Sequence, residues 1–118
     1  MGDDIVKLQH ELELRYGTDP ERLIGKSAAE FARWNVLAAT DELHEALHLL
    51  PWKPWKNYSI DELETVDWDE FGRELADVLH FLLNLFLLAG CRTFDDVVEL
   101  YKGENAKNAK RLEAGVDR

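Results

Sequence analysis

Polar and apolar positions along this chain repeat with the spacing of a helix. There is no sustained alternation, few β-branched runs and no Asn-Gly hairpin signal. A first helix is expected from about Asp3 to Tyr16, with Gly17 as its stop. Ser27-Ala28-Ala29-Glu30 reads as a capping box opening a second helix, which runs to about Leu50 before Pro51 ends it. A second box, Ser59 to Glu62, opens a short helical turn. The next helix spans about Trp68 to Ala89 and is closed by Gly90. Thr93 caps a last helix that continues toward Ala114, with Gly103 as a weak point. The expected fold is all-α, a single domain over residues 1–118.

The helix from Trp68 changes character midway, mixed up to His80 and apolar nearly all round from Phe81 to Ala89. Such a helix needs burial on every side, more than one small domain easily supplies. The second half is therefore expected to be both core and subunit interface, making the protein a homo-oligomer, a dimer or a tetramer. The same run is too short to cross a bilayer.

Acids outnumber bases by 24 to 14, for a formal net charge of -10. That disfavours binding to a nucleic-acid backbone and suits a protein that gathers cations. A lone cysteine, Cys91, rules out an internal disulfide. The beginning, MGDDIVKLQHELE, is charged from its third residue and does not read as a secretory signal. A soluble protein of the cytoplasm is expected, with no nucleic-acid or membrane partner.

Glu42-Leu43-His44-Glu45 and Glu74-Leu75-Ala76-Asp77 each set two carboxylates three residues apart, on one helix face, beside apolar residues. If their helices pack antiparallel, four carboxylates converge near the core boundary, tolerable only with cations between them. All-oxygen ligands point to Mg²⁺ or Mn²⁺ rather than zinc. Acids at this spacing are also common on solvated faces, and the joint pattern is what favours a site.

Between the two pairs lies Pro51-Trp52-Lys53-Pro54-Trp55-Lys56-Asn57, a proline-broken segment with two bulky rings and two positive charges. On the last helix, Asn105, Asn108 and Arg111 follow at three-residue spacing, a stripe able to hold a polyanion or simply a solvated helix end.

Together these stretches resemble the all-α, MazG-like nucleoside triphosphate pyrophosphohydrolases, most closely the dimeric dUTP pyrophosphatase branch in a short, phage-type form. The family pattern runs LQxxLN, ExxE, WKxWKN, ExxDxxHF, GKNxxNxxRQ. This chain reads Leu8-Gln9, Glu42 to Glu45, Trp52 to Asn57, Glu74 through Asp77 to His80-Phe81, and Gly103-Glu104-Asn105 through Asn108 to Arg111, in that order.

The resemblance implies an all-α antiparallel helix bundle and hydrolysis of a deoxynucleoside triphosphate, dUTP by default, at the α-phosphorus to a monophosphate and pyrophosphate, in a bacterial or phage-infected cell; a helical nucleotide-binding or interaction module without turnover is the alternative outside enzymes. Glu42, Glu45, Glu74 and Asp77 would hold two or more Mg²⁺ or Mn²⁺ ions, with Glu42 or Glu45 as general base. Lys56, Lys53, Arg111, Asn108 and Asn105 would meet phosphate. Gln9, Glu13, Trp55 and His80 would meet base or sugar, and one of Trp52 and Trp55 would anchor the loop.

The chain departs from the pattern at Glu13 (family Asn), Glu104 (Lys) and Leu112 (Gln), and lacks the long insertion of many dimeric dUTP enzymes. Glu13 bears on the base: uracil, the default, presents one N–H on its pairing edge, whereas guanine presents an N–H beside an NH₂ to a carboxylate that only accepts when ionised, so a dGTP or broader dNTP enzyme of the phage type is the alternative.

Overall fold

The computed structural model describes residues 3–115. Its helices are α1 (Ile5–Tyr16), α2 (Gly25–Leu47), α3 (Ile60–Glu64), α4 (Trp68–Leu88) and α5 (Phe94–Glu113), with no strand among the described residues.

Caps account for most helix ends. Asp4 accepts from the backbone N–H groups of Val6 and Lys7, and Gly17 closes α1 at φ 95°. The carboxylate of Asp4 also accepts from the N–H of Phe94, which ties the start of α1 to the start of α5. Ser59 and Glu62 form a complete capping box for α3, as Thr93 and Asp96 do for α5. The helix α5 runs through Gly103 without a break.

The start of α2 differs from the expectation. It begins at Gly25, whose φ of 56° only glycine adopts cheaply, and Ile24 stands at its N-cap without a side-chain bond. Ser27 therefore lies inside the first turn, where its hydroxyl donates to the Ile24 carbonyl instead of capping, and Glu30 pairs with Lys26. At the other end α2 stops at Leu47, and residues 48–50 make a tighter turn before Pro51.

Two helices lie antiparallel to α4. Asn35 of α2 bonds Asn84 of α4, while Glu42 and Glu45 lie by Glu74. Along α1, Val6 packs on Leu83 and Leu87, and Gln9 bonds Asn84 and His80. The core is correspondingly narrow: Val6, Leu83 and Leu87, with Ile5 and Val97 against them.

Much apolar surface stays outside it. The chain exposes 9006 Å², where a compact monomer of its mass exposes roughly 6,600 Å². Its radius of gyration is 17.9 Å, against roughly 13–14 Å for a compact fold of this length. Within the run from Phe81, Leu83, Asn84 and Leu87 are buried and Leu82 is exposed. The uncovered surface reaches well past that run, to Leu75 and Leu79 on α4, to Trp34, Leu37 and Leu43 on α2, and to Leu100 and Tyr101 on α5. The helix α5 has no buried residue at all.

Candidate functional site

Helical spacing brings both carboxylate pairs to the α2–α4 seam. Oxygens of Glu42, Glu45 and Glu74 lie within 4.8 Å of one another. Asp77, one turn along α4 from Glu74, stands just outside that trio and lines a cavity together with Glu42. No Lys, Arg or His side chain forms an ion pair with any of the four among the described residues. The electrostatic result is direct. Partial burial, then the charges of Glu45, Asp77 and Glu74, hold Glu42 above the usual carboxylate range. Burial and the charges of Glu45 and Asp77 do the same to Glu74. Glu74 Oε2 is buried with no hydrogen-bond partner. An orphaned oxygen among uncompensated carboxylates is what a hard divalent cation would satisfy.

The cavity beside this cluster has a volume of about 360 Å³, within the range of small-molecule sites. Gln9, Leu12, Glu13 and Tyr16 of α1 form one wall, and Asp77, His80, Phe81 and Asn84 of α4 the other, with Glu42 at the α2 side. The expected base- or sugar-facing residues Gln9, Glu13 and His80 thus share one cavity with two of the expected metal ligands.

A buried polar residue absent from the sequence expectations joins them. Asn84 accepts from Gln9 Nε2 at 2.8 Å and donates to Glu13 Oε1 at 2.8 Å and Asn35 Oδ1 at 2.9 Å. His80 Nδ1 is 2.7 Å from Gln9 Oε1, and Asn35 Nδ2 donates to the Phe31 carbonyl at 2.8 Å. The available signal was a lone amide in the apolar run FLLNLFLL: a polar side chain placed there must find partners.

The remaining candidates lie elsewhere. Trp52 is half-buried and stacks edge-on between His48 and Trp55, so it anchors the loop, while Trp55 is exposed. The backbone N–H of Lys53 donates to the Tyr58 hydroxyl, and the Lys56 ammonium lies 5.8 Å from the Tyr58 ring centre. None of Lys53, Trp55 and Lys56 lines the Gln9–Glu13 cavity. Asn108 and Arg111 sit together on α5 in a separate surface hollow with Lys107 and Lys110, and Asn105 is exposed on the same helix.

The spacing His44-Glu45-Ala46-Leu47-His48 matches the H-E-x-x-H zinc pattern. Here the two imidazoles bond each other, Nε2 to Nε2 at 3.0 Å, and Glu45 joins the carboxylate trio.

Fold and site together define an all-α protein, among the described residues, with a cluster of carboxylates that no cationic side chain pairs, beside a small cavity of mixed polar and apolar lining. The dCTP pyrophosphatase of Enterobacteria phage T4 is 34% identical over 71 residues, covering 54% of this chain and 41% of that protein. The dCTP pyrophosphatase of Enterobacteria phage LZ5 is 37% identical over 71 residues, with the same shares. The chain thus spans less than half the length of these curated relatives. No family model and no solved structure matches it. No helix of the described residues is long and apolar enough to cross a membrane.

Proposed function

We propose that this chain is a metal-dependent deoxynucleoside triphosphate pyrophosphohydrolase, converting a dNTP and water to the dNMP and pyrophosphate. The observation that carries this reading is the uncompensated Glu42–Glu45–Glu74 cluster, with its orphaned Glu74 oxygen, adjoining a cavity that holds Gln9, Glu13 and His80. Glu42, Glu45, Glu74 and Asp77 hold Mg²⁺ or Mn²⁺, two or more ions per site. Bound there, such ions supply positive charge for the triphosphate and acidify water. A carboxylate of the Glu42–Glu45 pair takes the proton of the attacking water. The cavity holds the base, edge-on to Gln9 and Glu13 and against the Phe81 and Tyr16 rings.

The base is cytosine in this reading. Glu13 lines the cavity as an acceptor, and the 4-amino group of cytosine donates to it, whereas uracil puts a carbonyl oxygen at that position. The curated relatives are both named dCTP pyrophosphatases. Guanine, with its own amino group, ranks second, and the dUTP of the sequence expectation third.

The working form is a homo-oligomer. Supporting this, no residue of α5 is fully buried within its own chain, and the exposed area exceeds that of a compact monomer. The Asn105–Asn108–Arg111 stripe of a second copy, with Lys53 and Lys56, then completes the phosphate side of the site.

Pyrophosphate release from each of dCTP, dGTP, dUTP, dATP and dTTP, with Mg²⁺ and with excess EDTA, tests the proposal. Release from dCTP that EDTA abolishes is expected. Release from no dNTP, or turnover undiminished by EDTA, overturns it.

A further inference from the structure

Asn84 lies at the centre of a chain of side-chain amides whose two ends fix the direction of every hydrogen bond between them. At one end the Phe31 carbonyl only accepts, so Asn35 turns its Nδ2 toward it and its Oδ1 toward Asn84. The Glu13 carboxylate, when ionised, also only accepts. Asn84 therefore commits both hydrogens of Nδ2, one to Glu13 and one to Asn35, and leaves Oδ1 for Gln9. Gln9 must then donate from Nε2 and present Oε1 to His80. His80 must donate from Nδ1, so in the neutral ring Nε2 is a bare acceptor. No amide in the chain can be flipped without setting two acceptors or two donors face to face. Gln9, Asn35 and Asn84 are 4%, 7% and 3% exposed, so a mismatch there has no water to relieve it.

From this polarity we infer that Asn84 is the positioning residue for base choice, setting the acceptors of Glu13 and His80 at the cavity. Both residues it governs line that cavity: Glu13, bonded to it directly, and His80, reached by way of Gln9. A base carrying an exocyclic amino group supplies two hydrogens to such acceptors. A base carrying a carbonyl in its place supplies none there and meets like charge. This rests on the cavity being the base pocket of the proposed enzyme, but the hydrogen-bond direction does not depend on turnover.

The test has two readouts on the full chain. In ¹⁵N-resolved NMR of the nucleotide-free protein, His80 is expected as the Nδ1–H tautomer, and the Nε2–H tautomer overturns the inference. Equilibrium titration with dCMP and dUMP in Mg²⁺ is expected to favour dCMP by roughly tenfold to a hundredfold, the size of one charge-assisted bond. Asn84→Leu, with its helix content checked by circular dichroism, should bring the two affinities within about threefold of one another. A preference kept intact in the folded variant overturns the proposal, as do equal affinities, or binding of neither nucleotide, in the wild type. Where Asn84→Leu does not fold, the wild-type tautomer and preference decide alone. Absence of pyrophosphate release alongside the expected tautomer and preference would sink the proposed reaction and leave this inference standing.

Discussion

Asp19 and Glu21 meet His10 beside α1, while Glu42, Glu45 and Glu74 meet between α2 and α4, and each trio brings its possible ligand atoms within 4.8 Å of one another. Geometry alone would rate them equal. Their partners separate them. His10 places Nε2 2.8 Å from Asp19 and Nδ1 3.4 Å from Glu21. Arg22 reaches Asp19, and Arg92 reaches Glu21 while bonding the carbonyls of Leu87 and Cys91 at the end of α4. The hydrogen bond from His10 holds the Asp19 carboxyl below its ordinary range. In the α2–α4 trio, burial and mutual repulsion push Glu42 and Glu74 the other way. The first cluster fastens two loops; the second carries charge that its own chain leaves unanswered. Proximity of acids is thus a poor sign of a metal site until the cations around them are counted.

The comparison breaks most sharply on turnover. Glu45→Gln or Glu74→Gln is expected to cut kcat/KM for the preferred dNTP by on the order of a thousandfold or more, as loss of a charged ligand does. Asp77→Asn should be similarly severe. Asp19→Asn, in the fastening cluster, should leave kcat/KM within about twofold of wild type. Comparable losses in both clusters would erase the distinction.

A smaller effect separates the clusters by metal. Millimolar Mg²⁺ is expected to raise the melting temperature of the wild type and of Asp19→Asn by several degrees, roughly 3–6 °C for a domain of this size. The double variant Glu42→Gln/Glu74→Gln should melt higher than wild type in EDTA and gain nothing from Mg²⁺. Differential scanning fluorimetry reads both, and a Mg²⁺ shift that survives the double substitution would place the cation elsewhere.

The smallest effect is on pH dependence, in chelator. Glu42 and Glu74 are raised in the fold, so their ionisation destabilises it as pH climbs from 4.5 through their folded pKa values. Asp4, Asp19 and Asp96 are lowered, chiefly by the Phe94 N–H, the His10 bond and the Arg92 N–H, so their stabilisation is lost as pH falls below 3.8. The joint contribution of these groups is greatest between those values. Urea midpoints across pH 3–8 should fall on both sides, and Glu42→Gln/Glu74→Gln should flatten the upper arm alone.

Much of this was legible in the chain. Capping residues at Ser59 and Thr93 placed their helices, because each side chain completes its box with an acid three residues on. Ser27 misled, because the same spacing occurs inside a helix that glycine had already opened at Gly25. Paired carboxylates were readable because i,i+3 spacing fixes a face whatever the surroundings. Asn84 was missed because a run of leucines and phenylalanines around it hides where one amide points. Lys53, Lys56 and the α5 stripe form a different case: their chemistry is readable from residue type, but distance from the carboxylates depends on how loops and further copies dock.

The helix α5 is fastened near its start, where Asp4 holds Phe94 and Val97 touches the core. From Val97 to Arg111 it rises roughly 21 Å at about 1.5 Å per residue with no residue fully buried along it. With so little tertiary support beyond that start, such a helix is expected to open and reclose by its own helix–coil exchange, on a timescale of roughly 0.1–1 μs. Amide hydrogens on α4, clamped between α1 and α2, must instead wait for the bundle itself to come apart. Two clocks therefore run in one chain, and the arm carrying Asn105, Asn108 and Arg111 keeps the fast one until another surface stops it.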